Sequence, residues 1–504
     1  MKYGIIADNL AERTIVQRTS THRNAYAYTL LSGGLLLVLV LPFIGRPYWD
    51  DELFSVRTAS GLNTMLDTFR QYENNMALYY WMLLGWIKLF GVSEIATRSL
   101  SLIFAILSLV AYQRLANRFF ASNISFLSGL VLLLNPLFLC YSIETRSYSL
   151  MILLGIVSTD LFLRLLTQRK AWHFVLYGLT LSAAVYSHYF GALMIPVHAA
   201  VMLFWRSRPG AWKDMVMTWA LVALSVSPLA IFRPASTEQI NWIGRPDLKT
   251  AIAAAIHLFG SAGIMIALAG IWSYFRIKAP MRAGRAVRDL ALLALTWIFL
   301  PLALTFFFSL LVKPVFQERY LVASIPAAAL LAGHVMHKSR LSGWPIHWLL
   351  AVLLAFQAFN VHQTLDQKGS GFDQVTAYID RNAGPKDMVL AYPFFRADHY
   401  SFYLGQQSPS KQYLSPVPIH SAPYLPGGGG RDPDPDLARL DSLSAHRDRS
   451  FLICNIGPRE ADGRQNRTWL PEIDKVLSRH YTHRDTIVFR PDYILPVRLI
   501  VYSK

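Results

Sequence analysis

Apolar residues fill long stretches of this chain, and polar ones gather in short breaks between them. The first run, Ala25 to Ile44, is about 20 residues long, enough to cross the hydrocarbon core of a bilayer. No small-residue cleavage pattern precedes Pro47, so the run reads as a first membrane helix that is retained. Similar runs follow, among them Arg98 to Gln113 and Ser125 to Leu139, and the last ends near Asn360. The pattern predicts about eleven spans in all. Leu78 to Phe90 is apolar too, but short, aromatic and interrupted by a lysine. It is predicted to lie flat in the outer interface, a zone that suits Trp, Tyr and Lys.

Beyond Asn360 the pattern changes: spanning runs stop, Gly and Pro rise, and charges of both signs appear. Phe372 to Ile379 and Trp469 to Val476 have helical spacing, whereas Met388 to Tyr392 and Phe451 to Asn455 read as buried strands. Pro423 to Pro435, with four consecutive glycines, is a flexible loop. The expected organisation is an N-terminal segment (1–24), a transmembrane domain (25–360) and a small α/β domain outside the membrane (361–504).

Composition agrees. With 504 residues and 53% apolar content, this is an all-α polytopic membrane protein with an appended α/β domain. The net charge of +17 raises the question of nucleic acid. The Lys and Arg residues are spread over many short loops and form no single stripe, so no nucleic-acid partner is expected. Those loops instead set the orientation. Lys2, Arg13, Arg18 and Arg23 place the N-terminus in the cytoplasm, and Arg276 to Arg288 form the most basic inner loop. A flat Leu78–Phe90 segment puts Arg114 and Arg118 inside, and the later loops then alternate consistently. The C-terminal domain falls outside, in the periplasm of an inner-membrane protein. Cys140 and Cys454 give neither a disulfide framework nor metal-ligand spacing, and Asn466-Arg-Thr468 is too weak a sequon to use.

This topology gathers the polar residues at one face. Asp50, Asp51, Glu52, Glu94, Arg98, Glu144, Arg146, His188, Tyr189, Glu318, Arg319 and Tyr320 all fall at outer helix ends. Asp160 and His257 are mid-helix exceptions that read as hydrogen-bonded packing residues. A transporter would put ionisable groups near the midplane on broken helices, so that alternative, like a membrane-anchored periplasmic sensor, is less well matched. Charges at one interface suit chemistry on a lipid headgroup. Moving a sugar from a lipid phosphate to a hydroxyl needs a base for the acceptor proton, which a carboxylate supplies. It also needs cations for the charge that builds on the leaving phosphate, and the arginine fork serves there. A His or Tyr orients the sugar. No Gly-rich phosphate loop opens a helix, so no nucleotide is expected. Transfer of a phosphoethanolamine-like unit would call for a soluble domain dense in metal ligands, which the tail lacks.

Seven short motifs follow one another: Trp49-Asp-Asp-Glu52, Leu78-Tyr-Tyr80, Phe90-Gly-Val-Ser-Glu94, Arg98-Ser-Leu-Ser101, Tyr141 to Tyr148, His188-Tyr189 and Glu318-Arg-Tyr-Leu321. In this order they resemble bacterial GT-C glycosyltransferases of the protein mannosyltransferase superfamily. The likeness is to the branch with the lipid A aminoarabinose transferases and rhizobial galacturonosyltransferases, and it runs from about Ala25 to Gly333. It implies a polyprenyl-phosphate-linked sugar as donor and a lipid, glycan or protein acceptor of the cell envelope, with membrane lipids around the chain. Asp51, with Glu52 beside it, takes the place of the catalytic base. Arg98 is implied in binding or site geometry, and Glu144 holds the place of a second acidic residue. Arg146, His188, Tyr189, Arg319 and Tyr320 are the remaining candidates for substrate binding. No cofactor is assigned; some relatives use a divalent metal, which the ligands here do not establish. One departure stands out: relatives commonly carry Pro-Pro before Leu-Tyr-Tyr, and this chain has Asn75-Met76-Ala77 there.

Overall fold

The structure is a computed structural model that describes residues 21–205, 209–232, 243–264, 266–267, 285–338, 355, 372–392, 397–407, 416–417, 435–455, 469–489 and 497–504. The chain forms two compact units, one holding the apolar helices and the other joining Arg46–Phe54 to the C-terminal region.

In chain order the helices of the N-terminal part are α1 (Thr21–Val40), α2 (Asp50–Thr58), α3 (Leu62–Gln71), α4 (Ala77–Phe90), α5 (Glu94–Ala116), α6 (Ser122–Leu133) and α7 (Pro136–Ser142). They continue as α8 (Tyr148–Thr167), α9 (Ala171–Ser187), α10 (Met194–Phe204), α11 (Pro209–Ile231), α12 (Leu248–Phe259), α13 (Arg285–Leu311) and α14 (Ile325–Lys338). Short 3-10 turns, Tyr189–Leu193 and Glu318–Ser324, lead into α10 and α14. Six helical stretches among the described residues are long and apolar enough to cross a membrane, and the α6–α7 pair makes a seventh if it is one broken span. This is the architecture of a multi-pass membrane protein. Among the described residues only 17% of the apolar stretch Tyr26–Phe43 is buried, an exposure that suits an apolar surrounding.

Several boundaries have local causes. The α4 helix spans 14 residues, about 21 Å at 1.5 Å per residue, against a hydrocarbon core of about 30 Å. It ends at Gly91, whose φ of 85° is open to glycine and costly for other residues. Two residues on, Ser93 caps α5 by accepting from the Ala96 N–H, which starts the second span earlier than its apolar run alone indicates. The run expected as one helix from Ser125 to Leu139 is instead broken, with α6 and α7 meeting at 71°. Pro136 lacks the N–H to continue α6, and Asn135 opens α7 by accepting from the Leu137 and Phe138 N–H groups. The expected eleventh span lies outside the described residues except for Ala355, as do residues 423–434 of the glycine-rich loop.

Asp160, in the last turns of α8, binds Arg118 at 2.5 Å and Arg164 at 2.8 Å. His257 pairs with Glu318. A further histidine, His198, is fully buried and joins three other helices by bonding Tyr177, 2.8 Å away, and Thr159, with Trp219 donating to the same tyrosine. It reads as a packing group that ties α8, α9, α10 and α11 together.

The C-terminal region carries α15 (Phe372–Asn382), β1 (Met388–Tyr392), α16 (Ala397–Gln407), α17 (Leu437–Ala445), β2 (Arg449–Asn455), α18 (Leu470–Leu477), β3 (His483–Phe489) and β4 (Val497–Ser503). The sheet order is β1-β2-β4-β3, with β1 parallel to β2 and the other pairs antiparallel. Alternate residues on three strands share one face: Leu390 pairs with Leu452, and Leu452 with Ile500. They pack with Leu440 of α17 and with Ile473, Val476 and Leu477 of α18. Cys454 sits in this core, where burial pushes its thiol up to about 12, so it is an inert packing residue. Neither cysteine is in a disulfide, and both are buried.

Candidate active site

The loop between α7 and α8 carries the first group of polar side chains, and α5 fixes its backbone. Ser101 of α5 donates to the Arg146 carbonyl at 3.4 Å, and Tyr79 of α4 meets Ser101 at 2.9 Å. One turn earlier on α5, the Thr97 hydroxyl meets that of Thr145 at 3.1 Å. Glu144, Thr145 and Arg146 are all buried. A buried arginine needs partners, and Arg146 finds them on three elements. Its Nη1 donates to Ser55 Oγ of α2 at 3.2 Å and to Tyr80 Oη of α4 at 3.4 Å, and lies 3.8 Å from the Glu73 carboxylate. Tyr80 in turn donates to Glu73. The Cys140 thiol lies 3.9 Å from Glu144 Oε2.

A second group comes from the turn between α9 and α10. Gly191 is what allows that turn: a Cβ there would lie 2.3 Å from the Ala184 carbonyl oxygen. The close approach sets His188 on the inner side, where it is 1% exposed. Its ring meets those of Tyr148 at 6.2 Å, Phe190 at 5.4 Å and Tyr320 at 4.8 Å. Its Nδ1 accepts from the Phe190 N–H, whereas its Nε2 has no hydrogen-bond partner among the described residues. Burial first, then the Arg146 and Arg319 guanidiniums, hold its pKa down to about 3. The imidazole is therefore neutral at physiological pH, and its free nitrogen faces a cationic environment. Arg319 also stacks 5.5 Å from the Tyr320 ring.

Arg146, His188, Arg319 and Tyr320 therefore form one neighbourhood. Two guanidiniums act electrostatically on one neutral imidazole, and Arg146, which also has Ser55, Tyr80 and the Glu73 carboxylate as partners, is a group suited to meet an anion. Glu144 borders this arginine through the same loop. Tyr189 is half-exposed and turns to Asn74. Arg98 is buried and its Nη1 donates to the Ile44 carbonyl at 2.8 Å, closing the end of the first span. That contact supports a role in geometry. Among the described residues no group of three or more His, Cys, Asp or Glu could hold a metal ion.

Asp50, Asp51 and Glu52 form the first turn of α2 and belong to the second unit. Trp49 accepts from the Glu52 and Leu53 N–H groups, while the Glu52 carboxylate reaches back to the Trp49 N–H at 3.4 Å. This is half of a capping box, and it gives Glu52, which is 2% exposed, a structural task. Asp50 and Asp51 are only partly covered. Acidic residues in a first turn are favoured by the helix dipole whatever else they do. Asp51 stands four residues, one helical turn, before Ser55 in the same unbroken helix.

Glu73, Asn74 and Ser55 do not stand out in the sequence as site residues, and Tyr80 appears there only as the end of the Leu78-Tyr-Tyr80 motif. The one signal is the departure beside them. Asn74 is 4% exposed, donates to the carbonyls of Leu229 (3.1 Å) and Phe232 (2.9 Å), and accepts from Tyr189. Met76 has φ −121°, far from the −65° that proline imposes. The backbone thus takes a path closed to proline at 76, and the Asn74 side chain, bonded to three groups, anchors the approach to α4 and holds Glu73 beside Arg146.

Residues 77–234 match the family of dolichyl-phosphate-mannose-protein mannosyltransferases. The fold is similar to that of ArnT from Cupriavidus metallidurans, in its apo state and bound to undecaprenyl phosphate. In each case the identity is 14% and the TM-score 0.58, over 95% of this chain and 98% of that one. An oligosaccharyltransferase from Archaeoglobus fulgidus matches at 13% identity and a TM-score of 0.49, over 93% of this chain and 72% of that one. No curated protein sequence matches. The likeness to ArnT shows the fold: an ArnT-like multi-pass helical bundle with a small C-terminal sheet domain.

Proposed function

We propose that this protein is an integral-membrane glycosyltransferase that takes a sugar from a polyprenyl phosphate donor and passes it to a cell-envelope acceptor. One observation carries the reading: Arg146 and Arg319 flank a buried, neutral His188 whose Nε2 is left for a ligand. A lipid phosphate fits that seat, and ArnT is a protein of this fold that binds undecaprenyl phosphate. In the proposed step an acceptor hydroxyl attacks the anomeric carbon from the face opposite the phosphate. The bond from that carbon to the phosphate oxygen breaks, the sugar inverts, and Asp51 takes the hydroxyl proton. Arg146 and Arg319 meet the charge that grows on the departing polyprenyl phosphate. His188 Nε2 holds a phosphate or sugar oxygen, and Arg98 and Glu144 keep the surrounding geometry. The transferred unit is a hexosyl or pentosyl group; the acceptor is lipopolysaccharide, another glycan or a protein.

The test is the glycolipid profile of a strain lacking the protein. A polyprenyl-phosphate sugar is expected to accumulate and one envelope glycoform to disappear. An unchanged profile, with donor and acceptor both present, would refute the reading.

The site is placed on the periplasmic side of the inner membrane, with residues 1–24 cytoplasmic, 25–360 in the membrane and 361–504 periplasmic, on the alternation of basic loops. A reporter fused after Asn360 is expected to be active outside, and one inserted between Arg276 and Arg288 inside. Labelling of Arg118 neighbours by an external impermeant reagent would invert this topology and break up the shared face.

A further inference from the structure

The second unit brings together segments far apart in the chain: the acidic stretch Arg46–Phe54 and the C-terminal domain. Within it Tyr48 is fully buried. Its backbone N–H donates to the hydroxyl of Tyr403, at 2.5 Å and 355 positions away. The Tyr48 ring meets Phe402 edge-on at 5.8 Å, and Phe402 and Tyr403 stand perpendicular at 5.3 Å. Both aromatic residues lie on α16, which packs on α15 and β1. Tyr48 immediately precedes Trp49, the residue that the Glu52 carboxylate caps, so its position sets where α2 begins and where its first turn presents Asp51.

We infer that Tyr403 is a positioning residue for the acidic stretch, and that the C-terminal domain serves transfer by holding Asp51 in place through Tyr48. This rests on the proposed role of Asp51. The physical basis is that a buried N–H is costly to leave without its acceptor, so α2 has a fixed start while the Tyr403 hydroxyl is present. Catalysis by a general base depends on its placement to within about 1 Å. The domain thereby acts on the chemical step through the start of α2; the side chains of the phosphate seat belong to the other unit.

The test is Tyr403→Phe in the purified full-length protein, which keeps the ring and its contact with Phe402 and removes the hydroxyl that accepts from the Tyr48 N–H. We expect kcat to fall roughly tenfold with the KM for the lipid donor little changed. In an Asp51→Asn background the same change is expected to add almost nothing, because the residue it positions is already disabled. Phe402→Leu, which loosens the Tyr48 contact and spares the hydrogen bond, is expected to give a smaller fall of the same kind, and it decides the matter if Tyr403→Phe does not accumulate. Wild-type kcat in Tyr403→Phe, with Asp51→Asn inactive, would overturn the inference and leave the proposed function standing. Full losses that add in the double variant would show that α16 acts on the fold and not through Asp51. Full transfer by Asp51→Asn would remove the proposed base itself.

Discussion

Asp51→Asn in the purified protein is expected to slow transfer by roughly a hundredfold or more, with donor binding retained. The amide is nearly isosteric and can still accept hydrogen bonds, so the first turn of α2 should persist. It cannot take the acceptor proton. The neighbouring carboxylates separate by what each already does. Glu52 is buried and bound to the Trp49 N–H, and glutamine satisfies the same cap, so Glu52→Gln is expected to cost little structurally. Asp50→Asn should be milder than Asp51→Asn, because its carboxylate is assigned only to the local field. When one carboxylate of the stretch is removed, a neighbour can stand in as a poorer, less well placed base. The single Asn and Gln variants and the triple variant should therefore be compared at the chemical step, with donor binding followed separately. Wild-type rates in both Asp51→Asn and Glu52→Gln would mean that the stretch is not the catalytic centre.

The spans were legible because an apolar run of membrane length needs no distant partner to declare itself. The break at Asn135 was not, although both its causes, a capping side chain and a proline, are local and could have been read. In the C-terminal region β1 and β2 showed as continuous apolar runs. β3 did not, since His483, Arg484, Asp485 and Thr486 lie exposed on an edge strand and carry little pattern. The candidate site divides the same way. Arg146, His188, Arg319 and Tyr320 stood out as charged or polar groups beside apolar runs. Glu73 and Ser55 looked ordinary, because what distinguishes them is Arg146, which only tertiary structure brings near. Asn74 is the plainest case: its carbonyl partners lie 155 and 158 positions away. The missing prolines marked a difference at that loop, but only the structure shows which side chain anchors it.

Arg146 is where the second large effect is expected. Arg146→Gln preserves donors for Ser55 and Tyr80 while removing the charge, and kcat/KM for the lipid donor should fall by about a hundredfold or more, as when one donor to a developing anion is lost. Arg146→Lys tests the fork separately. Its charge remains, but a single ammonium cannot serve Ser55, Tyr80 and a phosphate in the same plane, so it should recover only part of the loss. Polyprenyl phosphate, the leaving product, supplies an independent readout: its inhibition constant should rise in both variants, and more in Arg146→Gln. His188 gives the electrostatic check. Arg146 is one of the two cations holding the His188 pKa near 3, so removing that charge should raise it. Activity lost without any change in product inhibition would assign Arg146 to the framework around Glu73 and leave Arg319 as the phosphate ligand. Unchanged kcat/KM in both variants would mean that Arg146 takes no part in the anion seat, and Arg319, the other cation acting on His188, would then have to be tested in the same way.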